Sequence, residues 1–300
     1  MEKPFILHLF TATPNASPFD INMAYDAGYN AVVPYGNVTL EQIAALTQDA
    51  IFSRGPKGVK RTGIFIGGRE IGLAADMLDA AKRAMVPPFE VSVFADPSGA
   101  FTTAAGMVAC VEQQLKKVHQ TTLAGKNIVV LAGTGPVGAA AAVLASQARA
   151  HVWIASHTSA ARARMTSEVV NARYGANTQP GDASADNAKR AMIQNADIIL
   201  GAAKAGVQVL SAQELVHAKK LLVVADVNAV PPSGIEGVAM MDNGTPLAAG
   251  SGKAVAVGAL AIGNIKYQTQ RGLLETMIAA ENPLYIDFRD AFAAARKLTA

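Results

Sequence analysis

The sequence predicts an α/β fold in which helices cover mostly parallel β-sheet, arranged as two domains. Two observations lead to this prediction. Short apolar runs bounded by turn residues alternate with longer stretches of helical periodicity, which is typical of parallel strands joined by helical crossovers. The chain also has 300 residues, 51% of them hydrophobic, whereas one doubly wound half needs only about 130–150 residues. A second, smaller α/β domain accounts for the rest.

In the first part of the chain the boundaries of helices are well marked. A capping box at Thr39-x-x-Gln42 predicts a helix to about Asp49, and Pro87-Pro88 follows a helix predicted from Glu70 to Arg83. A third helix is expected from about Thr102 to His119. The strands predicted here are Phe5–Phe10, Ala31–Val33, Gly63–Ile66 and Phe89–Phe94.

After Thr121 the alternation becomes more regular and predicts a complete doubly wound half. The stretch Tyr174–Asp186 is polar and rich in turn residues, so it is predicted to be irregular. From Gly258 a long helix is expected to about Ala280, and Pro283 is expected to start a last helix that ends near Leu298. The other predicted elements are strands Asn127–Leu131, His151–Ala155, Asp197–Leu200 and Leu221–Val224 and helices Gly135–Ala148, Ala160–Tyr174, Asp186–Asn195 and Ala212–Val216. We therefore predict a domain over 122–257, and a substrate domain over 1–121 that the C-terminal helices of 258–300 join.

The composition argues against several classes of protein. The net charge is +3 and no block of five or six Lys/Arg occurs, so no nucleic-acid partner is expected. Cys110 is the only cysteine, which excludes an intrachain disulfide and a cysteine-based metal site and fits a reducing compartment. The apolar segment Phe5–Phe10 is too short for a signal peptide or a membrane span, so a cytoplasmic protein is expected. Few charges, 16% of residues, and abundant Ala and Gly favour a homo-oligomer.

The strongest local motif is a glycine-rich loop placed between a predicted strand and an Ala-rich helix. It has the form GxGxxG and comprises Gly133, Thr134, Gly135, Pro136, Val137 and Gly138. In dinucleotide-binding folds of the Rossmann type, the three glycines allow a tight turn, approach of the pyrophosphate to the backbone, and close packing of helix on strand. The phosphates then lie at the helix N-terminus. A glycine turn that only connects two elements is the alternative, but the flanking strands and helix favour dinucleotide binding.

The choice between NAD and NADP is expected at the end of the next predicted strand. An Asp or Glu about 20 residues after the glycines would bind the ribose 2′-hydroxyl and repel a 2′-phosphate. Ser156, His157 and Arg162 stand there instead, with Arg164 close by. Hydroxyl, imidazole and guanidinium groups can hold a 2′-phosphate without excluding NAD. We therefore predict NADP binding with NAD also accepted, although both arginines could equally be solvated helix residues.

Two further positions combine polar side chains with apolar surroundings. Asn228 follows an apolar strand and precedes Pro231-Pro232, so it could contact the nicotinamide amide or could simply shape a turn. Lys266 lies eight residues into an otherwise apolar helical segment. Lysine is rarely buried without a partner, but composition alone favours a side chain that extends to the helix surface.

Several motifs, in this order and spacing, resemble the NAD(P)-dependent methylene-tetrahydromethanopterin dehydrogenases of methylotrophic bacteria, over essentially the whole chain. Of these motifs only the glycine loop is specific by itself. They are Ser17-Pro-Phe-Asp20, Tyr25-Asp26-Ala-Gly28, Tyr35-Gly36-Asn37-Val38-Thr39, Phe65-Ile66-Gly67-Gly68, Asp96-Pro-Ser98-Gly99, Thr102-Thr103-Ala104-Ala105, Leu131-Ala-Gly-Thr-Gly-Pro-Val-Gly138, Ala225-Asp226-Val-Asn228 and Gly258-Ala-Leu-Ala-Ile-Gly263-Asn-Ile-Lys266.

The resemblance implies a reaction of one-carbon metabolism, in which hydride passes from the methylene bridge of a reduced pterin to the nicotinamide. Removing hydride from a carbon between two nitrogens leaves an amidinium, so no general base is required. By the same resemblance, Lys266 and Asp20 are the candidate catalytic residues, and Ser98, Thr102 and Thr103 line the pterin pocket. A cation beside a developing positive charge would oppose the reaction, so Lys266 is expected to orient the pterin, unless it is partly deprotonated in a desolvated site. The resemblance also implies a homotrimer or a dimer of trimers. No metal is expected, because the sequence shows no metal-ligand spacing.

Three other functions compete with this interpretation. A methylene-tetrahydrofolate dehydrogenase would use the same hydride chemistry on another pterin. A dinucleotide-sensing regulator without catalysis would be expected to lack Asp20 and Lys266 together, and both are present. Quinate/shikimate-type dehydrogenases share the architecture, but the Lys-Asp pair on which they rely is not recognised early in this sequence.

Overall fold

The computed structural model describes residues 3–300 and confirms the α/β class. The chain forms two compact units. The first comprises the chain up to Thr102 together with Tyr267–Ala294, and the second comprises Thr103–Lys266 together with Ala295–Ala300. The three boundaries between the units fall inside helices rather than in linkers. The domain boundary near residue 121 that the sequence indicates stays a prediction.

The first nine elements lie before residue 120, with 3₁₀ turns at Leu40–Gln42 and Pro97–Gly99. The strands are β1 (Ile6–Phe10), β2 (Ala31–Tyr35), β3 (Thr62–Ile66) and β4 (Ser92–Ala95). The helices are α1 (Pro18–Asp26), α2 (Ile43–Phe52), α3 (Gly55–Val59), α4 (Ile71–Arg83) and α5 (Ala100–His119).

The remaining elements begin at residue 127. The strands are β5 (Asn127–Leu131), β6 (His151–Ser156), β7 (Thr178–Asp182), β8 (Ile198–Gly201), β9 (Val223–Asp226), β10 (Asn243–Pro246), β11 (Val255–Val257) and β12 (Tyr285–Ile286). The helices are α6 (Pro136–Gln147), α7 (Ala160–Tyr174), α8 (Asp186–Asn195), α9 (Ala212–Leu215), α10 (Ala259–Ala279) and α11 (Phe288–Thr299).

The first unit contains a five-stranded sheet in the order β12-β4-β3-β1-β2. All its strands are parallel, and the central strands β3 and β4 are buried along their whole length. The chain leaves β1 towards β2 on one side and continues to β3 on the other. The strand order therefore reverses between β1 and β3, and ligands of such sheets bind at the carboxyl ends of the strands beside this point.

The second unit contains a seven-stranded sheet in the order β10-β11-β9-β8-β5-β6-β7. Only β10 runs antiparallel to its neighbour. The six parallel strands have the doubly wound Rossmann order, in which the strand order reverses between β5 and β8. The predicted Rossmann-type sheet with a second α/β domain is thus confirmed.

Several segments differ from the sequence prediction. Thr178–Asp182 is an edge strand, not irregular, because Asn171 of α7 bonds both backbone groups of Thr178 and the strand pairs with β6. An edge position also tolerates the proline and glycine that hide this strand in the sequence. The helix expected from Pro283 is wrong at its start, since Tyr285–Ile286 pairs with β4 and the helix begins only at Phe288. Helices α1 and α3 and strands β10 and β11 were not predicted at all.

Candidate active site

The glycine loop leaves the carboxyl end of β5 beside the reversal point of the larger sheet. Ala132 takes a left-handed conformation with φ 54°, so the tight turn expected at Gly133 is made one residue earlier. Gly133 is instead required by packing. A β-carbon there would lie 2.6 Å from the carbonyl oxygen of Val130 and 3.1 Å from Ile154 of β6.

The other two glycines of the loop have different environments. A β-carbon at Gly138 would lie 2.6 Å from the Cα of Gly133, so only glycine lets α6 approach the strand this closely. At Gly135 the nearest atom would be the Ala132 carbonyl oxygen at 3.6 Å, which is ordinary contact. The protein fold therefore requires glycine at 133 and 138 but not at 135. This pattern fits a loop that holds a pyrophosphate, in which Gly135 leaves space for the ligand. We call residues 133–138 the glycine cradle.

The loop ends in the first turn of α6, where the N-terminal N–H groups of a helix are unpaired within it and attract anions. Gly135 precedes the helix with φ −81° and ψ 167°, and Pro136 follows it. Thr134 and Val137 are half-buried and Pro136 is exposed. Gly133 and Gly138 are buried, so the accessible part of the loop is formed by Thr134, Gly135, Pro136 and Val137.

The end of β6 lies at the same edge, since β5 and β6 are parallel and in register. The Ser156 side chain is buried, and its Oγ accepts the N–H groups of Thr158 and Ser159 over 3.2 and 3.4 Å. Its hydroxyl oxygen therefore shapes the loop into α7. His157 and Arg162 are exposed. The imidazole and guanidinium groups expected beside a 2′-phosphate are accessible, while Ser156 has a structural role as well.

Asn228 follows β9 and is tied into a polar turn. Its side-chain oxygen accepts the N–H groups of Gly206 and Val230, and its Nδ2 donates to the Pro232 carbonyl over 3.0 Å. The buried Asp226 carboxylate accepts the N–H groups of Asn228 and Ile235. Burial raises the pKa of Asp226, although the donors oppose this shift. The observed contacts of the Asn228 side chain are those of a residue that shapes a turn. Its contact with a nicotinamide stays a prediction.

Lys266 lies in α10, and its side chain is half-buried. The backbone at this point is packed tightly against α5. A β-carbon at Gly106 would lie 3.0 Å from the Ile262 carbonyl oxygen and 3.2 Å from the Lys266 nitrogen. The absence of a side chain at Gly106 therefore fixes how closely α5 approaches the turn that carries Lys266.

The first unit has a pocket of about 540 Å³ at the carboxyl ends of β1 and β3. It lies at the reversal point of the five-stranded sheet, where the fold predicts a ligand site. The volume falls within the range of small-molecule sites, about 300–1,000 Å³. The pocket brings together two of the predicted site residues, Asp20 and Ser98. Its lining is Leu9, Thr11, Thr13, Pro14, Asn15, Ala16, Ser17, Pro18, Asp20, Gly67, Gly68, Arg69 and Ser98.

Asp20 lies in the first turn of α1 and is only 3% exposed. Gln270 of α10, which is fully buried, donates from Nε2 to the Asp20 Oδ1 over 2.8 Å. This hydrogen bond joins residues far apart in the sequence and fixes one oxygen of the carboxylate. Gln270 was not predicted, because a glutamine in a long helix gives no signal of burial. Gln270 lies four residues after Lys266, a spacing that places both residues on the same side of the helix.

Ser98 and Thr102 belong to the segment that starts α5. Ser98 has a left-handed backbone with φ 52°, and its Oγ donates to the Gly68 carbonyl over 2.7 Å. Thr102 is buried, and its hydroxyl donates to the Oδ2 of Asp96 over 2.6 Å. Asp96 also accepts the N–H groups of Phe101 and Thr102. Thr102 thus serves the cap of α5, and Thr103 beside it is half-buried.

We expect Thr102→Val to lower the free energy of unfolding by about 1–3 kcal/mol, because it leaves the buried Asp96 carboxylate short of a donor. Denaturant titration measures this change. Thr102→Ser keeps the hydroxyl and serves as the control, with most of the stability retained. Equal stability of the valine variant and the wild type would contradict the cap described here.

Other reactive groups add little to the site. Cys110 is buried, and burial raises the pKa of its thiol to about 12, so it stays protonated at neutral pH. Within residues 3–300, no cluster of three or more His, Cys, Asp or Glu could bind a metal ion. Nor does this part of the chain contain a helix that is both long and apolar enough to cross a bilayer.

The doubly wound sheet and its glycine cradle define the class of dinucleotide-binding dehydrogenases. A family model described as methylene-tetrahydromethanopterin dehydrogenase, N-terminal, matches residues 18–98. The NAD(P)-dependent methylenetetrahydromethanopterin dehydrogenase of Methylorubrum extorquens is 47% identical over 96% of both chains. The bifunctional protein MdtA of the same organism is 30% identical over 99% of this chain and all of that protein. The chain therefore belongs to the family of methylenetetrahydromethanopterin dehydrogenases, and it is an oxidoreductase.

Solved structures with similar folds are distant in sequence. The NAD-dependent malic enzyme of Thermotoga maritima has a TM-score of 0.59 at 13% identity, with 97% of this chain and 84% of that chain covered. The 5-ketofructose reductase of a Gluconobacter species and the shikimate 5-dehydrogenase of Listeria monocytogenes both score 0.51. The reductase is 18% identical, with 99% of both chains covered. The shikimate 5-dehydrogenase is 14% identical, with 92% of both chains covered. These likenesses support the fold alone.

Proposed function

We propose that the protein transfers a hydride from methylene-tetrahydromethanopterin to NAD(P)+ and releases the methenyl pterin. The similarity to the Methylorubrum enzyme along nearly the whole chain carries this proposal. The glycine cradle and the first-unit pocket support it, since hydride transfer needs a dinucleotide site and a second ligand site. A folate substrate and a non-catalytic sensor are the less favoured alternatives.

The glycine cradle is proposed to bind the cofactor. The N–H groups at the start of α6 would hold the pyrophosphate, and the open space at Gly135 would let it approach the backbone. Ser156, His157 and Arg162 would lie along the adenosine ribose, and Asn228 would support the nicotinamide end. When bound, the oxidised nicotinamide supplies the hydride acceptor.

The pocket of the first unit is proposed to bind the pterin. Asp20 would accept hydrogen bonds from pterin N–H groups, with its carboxylate oriented by Gln270. Ser98, Thr102 and Thr103 would form the wall at the start of α5. Lys266 would orient the pterin by donating hydrogen bonds. The lone pairs of the two nitrogens stabilise the product cation, so the chain needs to exclude water and align the reactants rather than move a proton.

An assay of nicotinamide reduction tests the proposal. Methylene-tetrahydromethanopterin and methylene-tetrahydrofolate are each offered with NAD and with NADP, and absorbance at the reduced nicotinamide band is followed. Reduction of both cofactors with the methanopterin derivative is the expected result. Reduction only with the folate derivative would support the first alternative. Tight dinucleotide binding without reduction by either pterin would support the sensor.

We further propose that the protein is a cytoplasmic homotrimer or a dimer of trimers. The low content of charged residues supports a buried subunit interface. Exposed apolar side chains such as Met165, Val169 and Met241 are available for it. Light scattering of the purified protein measures the number of subunits.

A further inference from the structure

No Asp or Glu directly follows β6 in the sequence, but the neighbouring strand β7 brings the carboxylate of Asp182 to the end of β6. In the register of β6 and β7, Asp182 lies opposite Ser156, the last residue of β6. Neighbouring strands lie about 4.8 Å apart. The pairing continues past the strand ends, because the Ala183 N–H donates to the Ser156 carbonyl over 2.9 Å. Asp182 is therefore held beside the end of β6.

The side chain of Asp182 is also held in one orientation. Its Oδ1 accepts the N–H of Ser184 over 2.9 Å and the hydroxyl of Ser184 over 2.6 Å. These donors lower the pKa of Asp182 from its usual value, so the carboxylate is ionised at neutral pH. The result is a fixed negative charge that stays accessible at the sheet edge.

An imidazole and a guanidinium group follow the same strand end. His157 and Arg162 are exposed in the segment that leads from β6 into α7. In doubly wound dinucleotide-binding folds, the end of this strand receives the adenosine ribose. A carboxylate there accepts hydrogen bonds from the ribose hydroxyls and repels a 2′-phosphate, whereas a guanidinium attracts it. The carboxylate of Asp182 and the guanidinium of Arg162 therefore favour different cofactors.

We propose that Asp182 is a specificity-determining residue of the dinucleotide site, which favours the free ribose hydroxyls of NAD and opposes the 2′-phosphate of NADP. Arg162 acts in the opposite sense. The inference rests on the proposed function, because it assumes that the dinucleotide occupies the glycine cradle. Asp182 has no local sequence signal, because its position beside β6 depends on how β7 pairs with that strand.

Binding of NADH and NADPH to Asp182→Asn, measured by quenching of Trp153 without any pterin, tests this assignment. Trp153 is the single tryptophan and lies in β6. We expect the ratio of the NADH dissociation constant to the NADPH dissociation constant to rise about fivefold to tenfold. The change should shrink at high salt, since screening weakens the repulsion of the 2′-phosphate.

Three further variants separate charge from structure. Asp182→Ser keeps an oxygen for the turn without the charge and should shift the ratio like Asp182→Asn. Asp182→Glu keeps the charge and should leave the ratio near wild type. Glu168→Gln, at an exposed position of α7, makes the same change of net charge and should have no effect. An unchanged ratio in both neutral variants, or an equal shift in Glu168→Gln, would overturn the assignment. Absence of any dinucleotide binding to the wild type would instead refute the proposed function.

Discussion

Gly135→Ala is expected to weaken dinucleotide binding by about 100-fold, or about 2.7 kcal/mol, without a measurable change in thermal stability. The backbone angles of Gly135, φ −81° and ψ 167°, suit any residue. A β-carbon there meets no protein atom closer than 3.6 Å. The added methyl group would occupy the space left for the pyrophosphate. Titration with NADH and a thermal unfolding curve measure the two effects separately.

Gly138→Ala is the matched comparison, since it adds the same methyl group three residues later. Its β-carbon would lie 2.6 Å from the Cα of Gly133, so α6 must move away from the strand. We expect this overpacking to lower the free energy of unfolding by about 1–3 kcal/mol. If Gly135→Ala binds NADH as tightly as wild type, the dinucleotide does not lie against this loop.

Lys266→Ala is expected to reduce turnover by about 100-fold, because a pterin that is misplaced by about 1 Å loses near-attack geometry. Dinucleotide affinity should stay within twofold of wild type. Pre-steady-state measurement of nicotinamide reduction isolates the hydride step. Wild-type rates with intact pterin binding would rule out the proposed role of Lys266.

Arg271→Ala provides the control for charge on the same helix. Arg271 is exposed and pairs with Glu275 over 2.8 Å in an ion pair one turn apart. Exposed pairs of this kind contribute little to stability, typically about 0.2–1 kcal/mol. Turnover of this variant should match wild type, so a loss specific to Lys266 cannot be assigned to the removal of any cation from α10.

The local parts of the dinucleotide site were predictable from sequence. A strand, a glycine loop and the start of a helix follow one another directly in the sequence, so their pattern is local. The same locality explains why the capping box at Thr39 is found where expected.

The roles of single polar side chains were harder to assign. Asn228 and Thr102 match the motifs, but only the structure shows that their polar atoms bond to a turn and to Asp96.

The α/β class, the doubly wound type of sheet and the position of the glycine cradle could be predicted from the sequence, because hydrophobic periodicity and glycine sterics act over a few residues. The strand order could not, since strands β7 and β11 were not predicted. Only the tertiary structure decided which distant side chains meet. The hydrogen bond between Asp20 and Gln270 spans 250 residues, and the position of Asp182 depends on pairing of an edge strand that looks like a turn. Such contacts depend on sheet register and helix packing, which are set by the whole core rather than by any local pattern.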